Sequence, residues 1–157
     1  MDDDPRVGYC RELARTVVAR HGVRQPPIDV EAIAAVAGAR IVRATNLGAL
    51  DARMRRDGAG WVIELNADRS LTARRFSVGH EVGHLSLAHD GCGTNSVHER
   101  QANVFAAELL MPLALLKAAL RKEHSLRSLA ALFVVSPEAL TIKLSEQGLL
   151  LKLKGLA

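Results

Sequence analysis

The chain has 157 residues, 48% of them hydrophobic, which is enough for one compact domain with a core and too few for two. Aromatics are scarce, at one Trp, one Tyr and three Phe, so the core must be built from Leu, Ala, Val and Ile, which suits packed helices better than a broad sheet. The net charge is +4, but the basic residues are scattered in short groups such as Arg53, Arg55 and Arg56 or Arg121 and Lys122, with no interleaved aromatics, which argues against a nucleic-acid groove.

Met1-Asp2-Asp3-Asp4 opens the chain acidic and polar, unlike the basic and then apolar start of a secretory signal, so a cytoplasmic protein is expected. Over residues 6–21, Val7, Cys10, Leu13, Ala14, Val17 and Val18 recur at helical spacing and predict a first helix that ends near His21-Gly22. Pro26-Pro27 interrupts it, and Asp29 is placed to cap a short Ala-rich helix that stops at Gly38. The period then changes. Ile41 and Val42, residues 50–54 and residues 61–65 read as short strands, with Gly48 and Asp57-Gly58 as turns, and predict a small antiparallel or mixed sheet. Residues 66–70 supply loop and cap chemistry before a Pro-free helix over 71–88. Gly79 and Gly83 lie four apart on that helix, where each costs about 1 kcal/mol relative to Ala, so a neighbouring backbone is expected to approach their face.

Residues 90–95 read as a loop, and a helix over 97–111 is halted by Pro112. Helices over 113–122, 126–133 and 137–147 complete an all-helical second half. The most apolar stretch, 104–120, is interrupted by Glu108, Pro112 and Lys117 and is too short to span a membrane. Two cysteines, Cys10 and Cys92, fall short of a disulfide framework and fit a reducing compartment. The expected organisation is one α+β domain over 1–157, mostly helical: N-terminal helices and sheet at 6–66, the helix at 71–88, and C-terminal helices at 97–150.

The helix over 71–88 carries His80-Glu81-Val82-Gly83-His84. A helix turns about 100° per residue, so positions 80 and 84 stand about 40° apart, one turn along the axis, and their imidazoles can converge on one zinc ion. Glu81 then sits where a general base for water activation is needed. A catalytic zinc takes a third protein ligand. Leu87 and Asp90 stand where a glycine turn and a later ligand would be needed for one zincin arrangement, which disfavours it. His89 is about 140° around the helix from His84 and is expected to point away, as a helix-end cation, unless the helix has already ended. Cys92 sits in a Gly-Cys-Gly loop and is a lesser candidate. Glu99 and Glu108 on the next helix are the main candidates, on opposite faces because nine residues rotate a helix by about 900°. Glu99 has Asn103 one turn along its own face as a possible supporting partner, while Ser96-Val97-His98-Glu99 also reads as a capping box that would occupy Glu99.

The stretch Arg75-Phe76-Ser77-Val78-Gly79-His80-Glu81-Val82-Gly83-His84-Leu85, with Glu99-Arg100-Gln101-Ala102-Asn103-Val104-Phe105-Ala106-Ala107-Glu108-Leu109-Leu110-Met111-Pro112, resembles the two signatures of the ImmA/IrrE family of zinc metallopeptidases. The resemblance extends weakly to 28–34, 61–66 and 129–144. It implies a zincin-like fold, His80, His84 and Glu99 as zinc ligands, Glu81 as catalytic base, and a helix-turn-helix transcriptional repressor as protein substrate. Manganese or iron is an alternative metal for such a donor set. Gly79 stands where alanine is common and Gln101 where a second acidic residue is common. With little sequence beyond residue 150, no large C-terminal sensing domain is expected.

The expected chemistry is hydrolysis of a peptide bond, with residues 61–65 pairing an extended substrate if they form the sheet edge. His98, His89 and Tyr9 are the polar options for stabilising the oxyanion, with nothing to rank them. The alternative is a non-proteolytic module that binds a repressor, a toxin or DNA. Helices 126–133 and 137–147 have helix-turn-helix spacing, but the second starts Pro-Glu-Ala-Leu-Thr and offers only Lys143, so direct nucleic-acid binding is not expected.

Overall fold

The computed structural model describes residues 6–89 and 95–153. In chain order these residues form α1 (Val7–Arg20), α2 (Val30–Val36), β1 (Ala39–Ala44), β2 (Ala52–Asp57), β3 (Gly60–Asn66), α3 (Leu71–Ser86), α4 (Ser96–Leu110), α5 (Leu113–Leu120), α6 (Leu126–Phe133) and α7 (Pro137–Glu146), then a 3-10 turn at Leu150–Lys152. The class is α+β, mostly helical with one small mixed sheet ahead of α3, as the sequence predicts. Among the described residues no single helix is long and apolar enough to cross a membrane.

The sheet has the order β1-β3-β2. Gly58, at φ 60°, lets the chain reverse between β2 and β3, which pair antiparallel from Ala52 with Leu65 to Asp57 with Gly60. β1 adds parallel to the other side of β3, from Ala39 with Trp61 to Ala44 with Asn66. The condition that 61–65 form a sheet edge is not met: β3 is central, with Val62 and Ile63 fully buried, and β1 and β2 are the two edge strands. On β2 the core takes Met54, while Arg53 and Arg55 point out and share Glu64 across the hairpin at 2.7 and 3.0 Å.

Asp29 caps α2 by accepting from the Ala32 N–H at 3.0 Å, Ser70 caps α3 through the Ala73 N–H at 3.2 Å, and Ser136 caps α7 through the Ala139 N–H at 3.1 Å. α3 packs along α4, and the two glycines explain how closely. A Cβ at Gly83 would stand 3.2 Å from both the Cα and the carbonyl oxygen of Ala102, and one at Gly79 would stand 3.3 Å from the Cβ of Ala106. The backbone approach expected on that face is supplied by α4. Replacing Gly83 by valine forces two backbones apart and is expected to destabilise the fold by about 1–3 kcal/mol, read as a lower urea midpoint at unchanged slope.

One hydrophobic cluster joins the layers: Cys10 and Ala14 from α1, Ile33 from α2, Ile63 from β3, Val78 and Val82 from α3, Phe105 and Leu109 from α4, Phe133 from α6 and Leu140 from α7. Arg75 of α3 ties this core to its periphery by donating to the carbonyls of Ile28 at 2.8 Å and Val134 at 3.1 Å, the latter in the left-handed turn between α6 and α7. Those two helices meet at 102°. Pro137, Glu138, Ile142, Ser145 and Glu146 form the exposed side of α7, and its lysine, Lys143, is buried at 2% exposure. A reading helix needs basic or amide side chains on that exposed side.

Candidate metal centre

α3 delivers His80 and His84 to one face one turn apart, and α4 crosses close by because Gly79 and Gly83 carry no side chain. The His80 Nε2 and His84 Nε2 atoms lie 3.0 Å apart. Glu99, in the first turn of α4, brings Oε2 to 3.1 Å from His80 Nε2 and Oε1 to 3.1 Å from His84 Nε2. Two donors on one tetrahedral zinc at about 2.0–2.1 Å stand about 3.3–3.4 Å apart, close to these separations. Two imidazole nitrogens and a carboxylate turned on one another is an arrangement that a cation relieves. His80, His84 and Glu99 together could hold a metal ion.

Glu99 is available for this because it is not occupied as a helix cap. The capping box that Ser96 also offers does not form; the cap is Asn95, whose Oδ1 accepts from the Val97 and His98 N–H groups at 3.0 and 3.4 Å. Glu108 lies elsewhere. Its carboxylate is fully buried and held by Lys143, by Arg15 Nε at 2.9 Å and by the Leu113 N–H at 3.1 Å, so the alternative of Glu108 as third ligand is corrected to a structural role. Cys92 lies outside the described residues.

Asn103 is on the face of Glu99, as the helical spacing requires, but its partner is a histidine: His80 Nδ1–H donates to Asn103 Oδ1 at 2.8 Å. That bond leaves His80 Nε2 bare and directed at the other donors. His89 departs from expectation. α3 ends at Ser86 with Leu87 as its C-cap, Ala88 takes a left-handed φ of 52°, and the His89 N–H bonds back to the His84 carbonyl at 3.0 Å. This closure turns His89 towards the site, with its Nδ1 3.0 Å from His84 Nδ1, its Nε2 2.9 Å from Gln101 Oε1, and its ring stacked on that of His98 at 4.1 Å. Sequence reasoning pointed His89 away because it ran the helix to 88, two residues beyond its end at Ser86. Tyr9, the remaining polar option, is an exposed residue of α1.

Burial, with the nearby His80 as a lesser cause, pushes His84 down to about 4, so the ring is neutral at pH 7 as metal ligation requires. Burial also raises the Glu81 carboxyl, opposed by His80 and reinforced by Glu99, and lowers His89, opposed by the bond to Gln101. A carboxylate whose proton affinity is raised is a better base. The donors and Glu81 line one cleft of about 540 Å³ together with Leu50, with Ala52, Arg53 and Met54 at the start of β2, and with Phe76 of α3.

A family model described as Peptidase_M78, IrrE N-terminal-like domain, matches residues 35–145. This span takes in the sheet, both histidines and Glu99, and it carries a metallopeptidase-like fold. Among solved structures, a Mycobacterium tuberculosis transcriptional regulator is similar at a TM-score of 0.68 and 18% identity over 88% of this chain. That likeness is one of fold, and the present chain spans 46% of the regulator's length. No curated protein matches significantly.

Proposed function

The chain belongs to the Peptidase_M78, IrrE N-terminal-like domain family, and from that premise we propose that its cleft hydrolyses a peptide bond in a protein substrate, with zinc held by His80, His84 and Glu99 and with Glu81 as the base. The observation that carries this reading is the mutual approach of three donor atoms at 3.0–3.1 Å in the cleft that Glu81 also lines. When bound there, the metal supplies Lewis acidity for a peptide carbonyl and acidifies water. Glu81 takes the proton from the attacking water and returns it to the leaving amine. The half-buried setting that raises its carboxyl favours the first of these transfers.

β2 is the strand for substrate to pair with, since of the two edge strands it is the one whose first residues line the cleft with the histidines. An extended segment adding to β2 would lie along the cleft, with alternate side chains against Leu50, Met54 and Phe76. A helix-turn-helix repressor is the substrate class the family suggests, and a fold neighbour named as a transcriptional regulator supports a place in transcriptional control. Such a role suits a cytoplasmic protein.

The test is metal content per chain, by elemental mass spectrometry, on wild type and Glu99→Gln purified without added metal. About one zinc in wild type with a marked loss in the variant is the expected result. Wild type that stays metal-free after zinc is supplied would sink the peptidase reading, and full zinc in Glu99→Gln would remove Glu99 from the donor set.

A further inference from the structure

We infer that His89 and Gln101 are positioning residues for the metal centre, a relay that holds His84 in the tautomer whose Nε2 can bind metal; this rests on the metallopeptidase reading above. His84 Nδ1 and His89 Nδ1 stand 3.0 Å apart, and His89 Nε2 stands 2.9 Å from Gln101 Oε1. A hydrogen bond between these two Nδ1 atoms is made by one proton, so one ring donates and the other accepts, whereas the equally close Nε2 pair of His80 and His84 faces Glu99 in the donor set that could hold a cation. A neutral imidazole carries a single N–H, which means that fixing one nitrogen fixes the other.

The chain of assignments starts on α4. Gln101 Oε1 can only accept, so His89 Nε2 carries the hydrogen and His89 Nδ1 is bare. His84 Nδ1 must then be the donor, and His84 Nε2 is left bare towards His80 and Glu99. With the opposite direction along the relay, His84 would point an N–H at the other donors and could not ligate. A buried glutamine on one helix thereby sets the protonation of a ligand on another, and Asn103 does the corresponding work for His80 directly. His89 is itself held from three sides: by the left-handed Ala88 closure, by the bond to Gln101, and by the His98 ring lying parallel within 6°. Its part is played through His84 rather than on substrate.

The test uses the whole chain and needs no substrate. Histidine 15N shifts of the metal-free wild type are expected to show His84 protonated at Nδ1 and His89 at Nε2. His89→Phe keeps the stacking ring and removes both nitrogens, and Gln101→Met keeps the length and removes the acceptor. In each, the zinc Kd measured against a chromogenic chelator is expected to rise about 10–100-fold. His89→Asn places an amide oxygen where Nδ1 stands and is expected to recover much of that loss, whereas a space-filling role would favour phenylalanine. Wild-type His84 protonated at Nε2, Kd values within twofold of wild type in both variants, or asparagine no better than phenylalanine would each overturn the relay. The wild-type shifts decide the matter even if a variant does not fold. A wild type that binds no zinc overturns the relay and the peptidase reading together, whereas in a wild type that binds zinc the wrong His84 tautomer or unchanged variant Kd values overturn the relay alone.

Discussion

Glu81→Gln is expected to lower peptide turnover by about 10²–10⁴-fold, the range that a positioned acid-base group contributes, while the zinc content stays at the wild-type level. The amide has the size of the carboxylate but cannot accept the proton of an attacking water. His80, His84 and Glu99 are untouched by the change, since their contacts are to one another and to Asn103 and His89. The loss should fall on kcat rather than KM, because Glu81 acts in the transition state and the cleft walls that hold substrate are intact. The measurement is kcat and KM for one cleaved protein substrate alongside metal content. Wild-type turnover with zinc in place would remove Glu81 from the mechanism.

The parts of this molecule that were legible in the sequence are those written in one element's own periodicity. The spacing of His80 and His84, the cap residues Asp29, Ser70 and Ser136, and the paired glycines of α3 each state a local requirement, and each element forms where that requirement is met. What escaped depends on relations between elements. Asp57-Gly58 announces the β2–β3 hairpin, but nothing local says on which side β1 adds, so residues 61–65 could be offered as an edge when β3 is the central strand. Both Ser96 and Asn95 are good N-caps, and a one-residue difference decides whether Glu99 is consumed by its own helix or reaches across to α3. His89 was misplaced because α3 ends through an alanine in the left-handed region, where glycine is the usual signal and none is present. Lys143 read as the exposed cation of α7 because helical periodicity does not reveal a buried carboxylate on a helix thirty-five residues earlier.

That carboxylate supports the other large effect. Glu108→Ala is expected to destabilise the protein by about 3–5 kcal/mol, because it leaves Lys143 buried without its counter-charge. Both side chains are almost fully inaccessible, at 0% and 1% exposure, and they meet between α4 and α7. Arg15 of α1 closes the group at 2.9 Å, and its half-exposed guanidinium can turn to water if the carboxylate is lost. The Leu113 N–H has no such recourse. Pro112 provides no side-chain cap at the start of α5, and Glu108 Oε1 accepts from that N–H at 3.1 Å. A double replacement, Glu108→Leu with Lys143→Met, should therefore recover most of the loss but not all of it, the remainder being the orphaned amide at about 1–3 kcal/mol. The pH dependence has a definite sign. Burial alone would raise the Glu108 carboxyl, but the bonds from Lys143, Arg15 and Leu113 outweigh it and hold it below its ordinary 4.5. A depressed carboxyl contributes stability that is present above 4.5 and is lost as pH falls through its folded-state value. Urea midpoints between pH 7 and pH 3 should fall steeply in wild type and more gently in the double variant. A single variant as stable as wild type at pH 7, or identical pH slopes, would show that this buried trio contributes nothing to holding α1, α4 and α7 together.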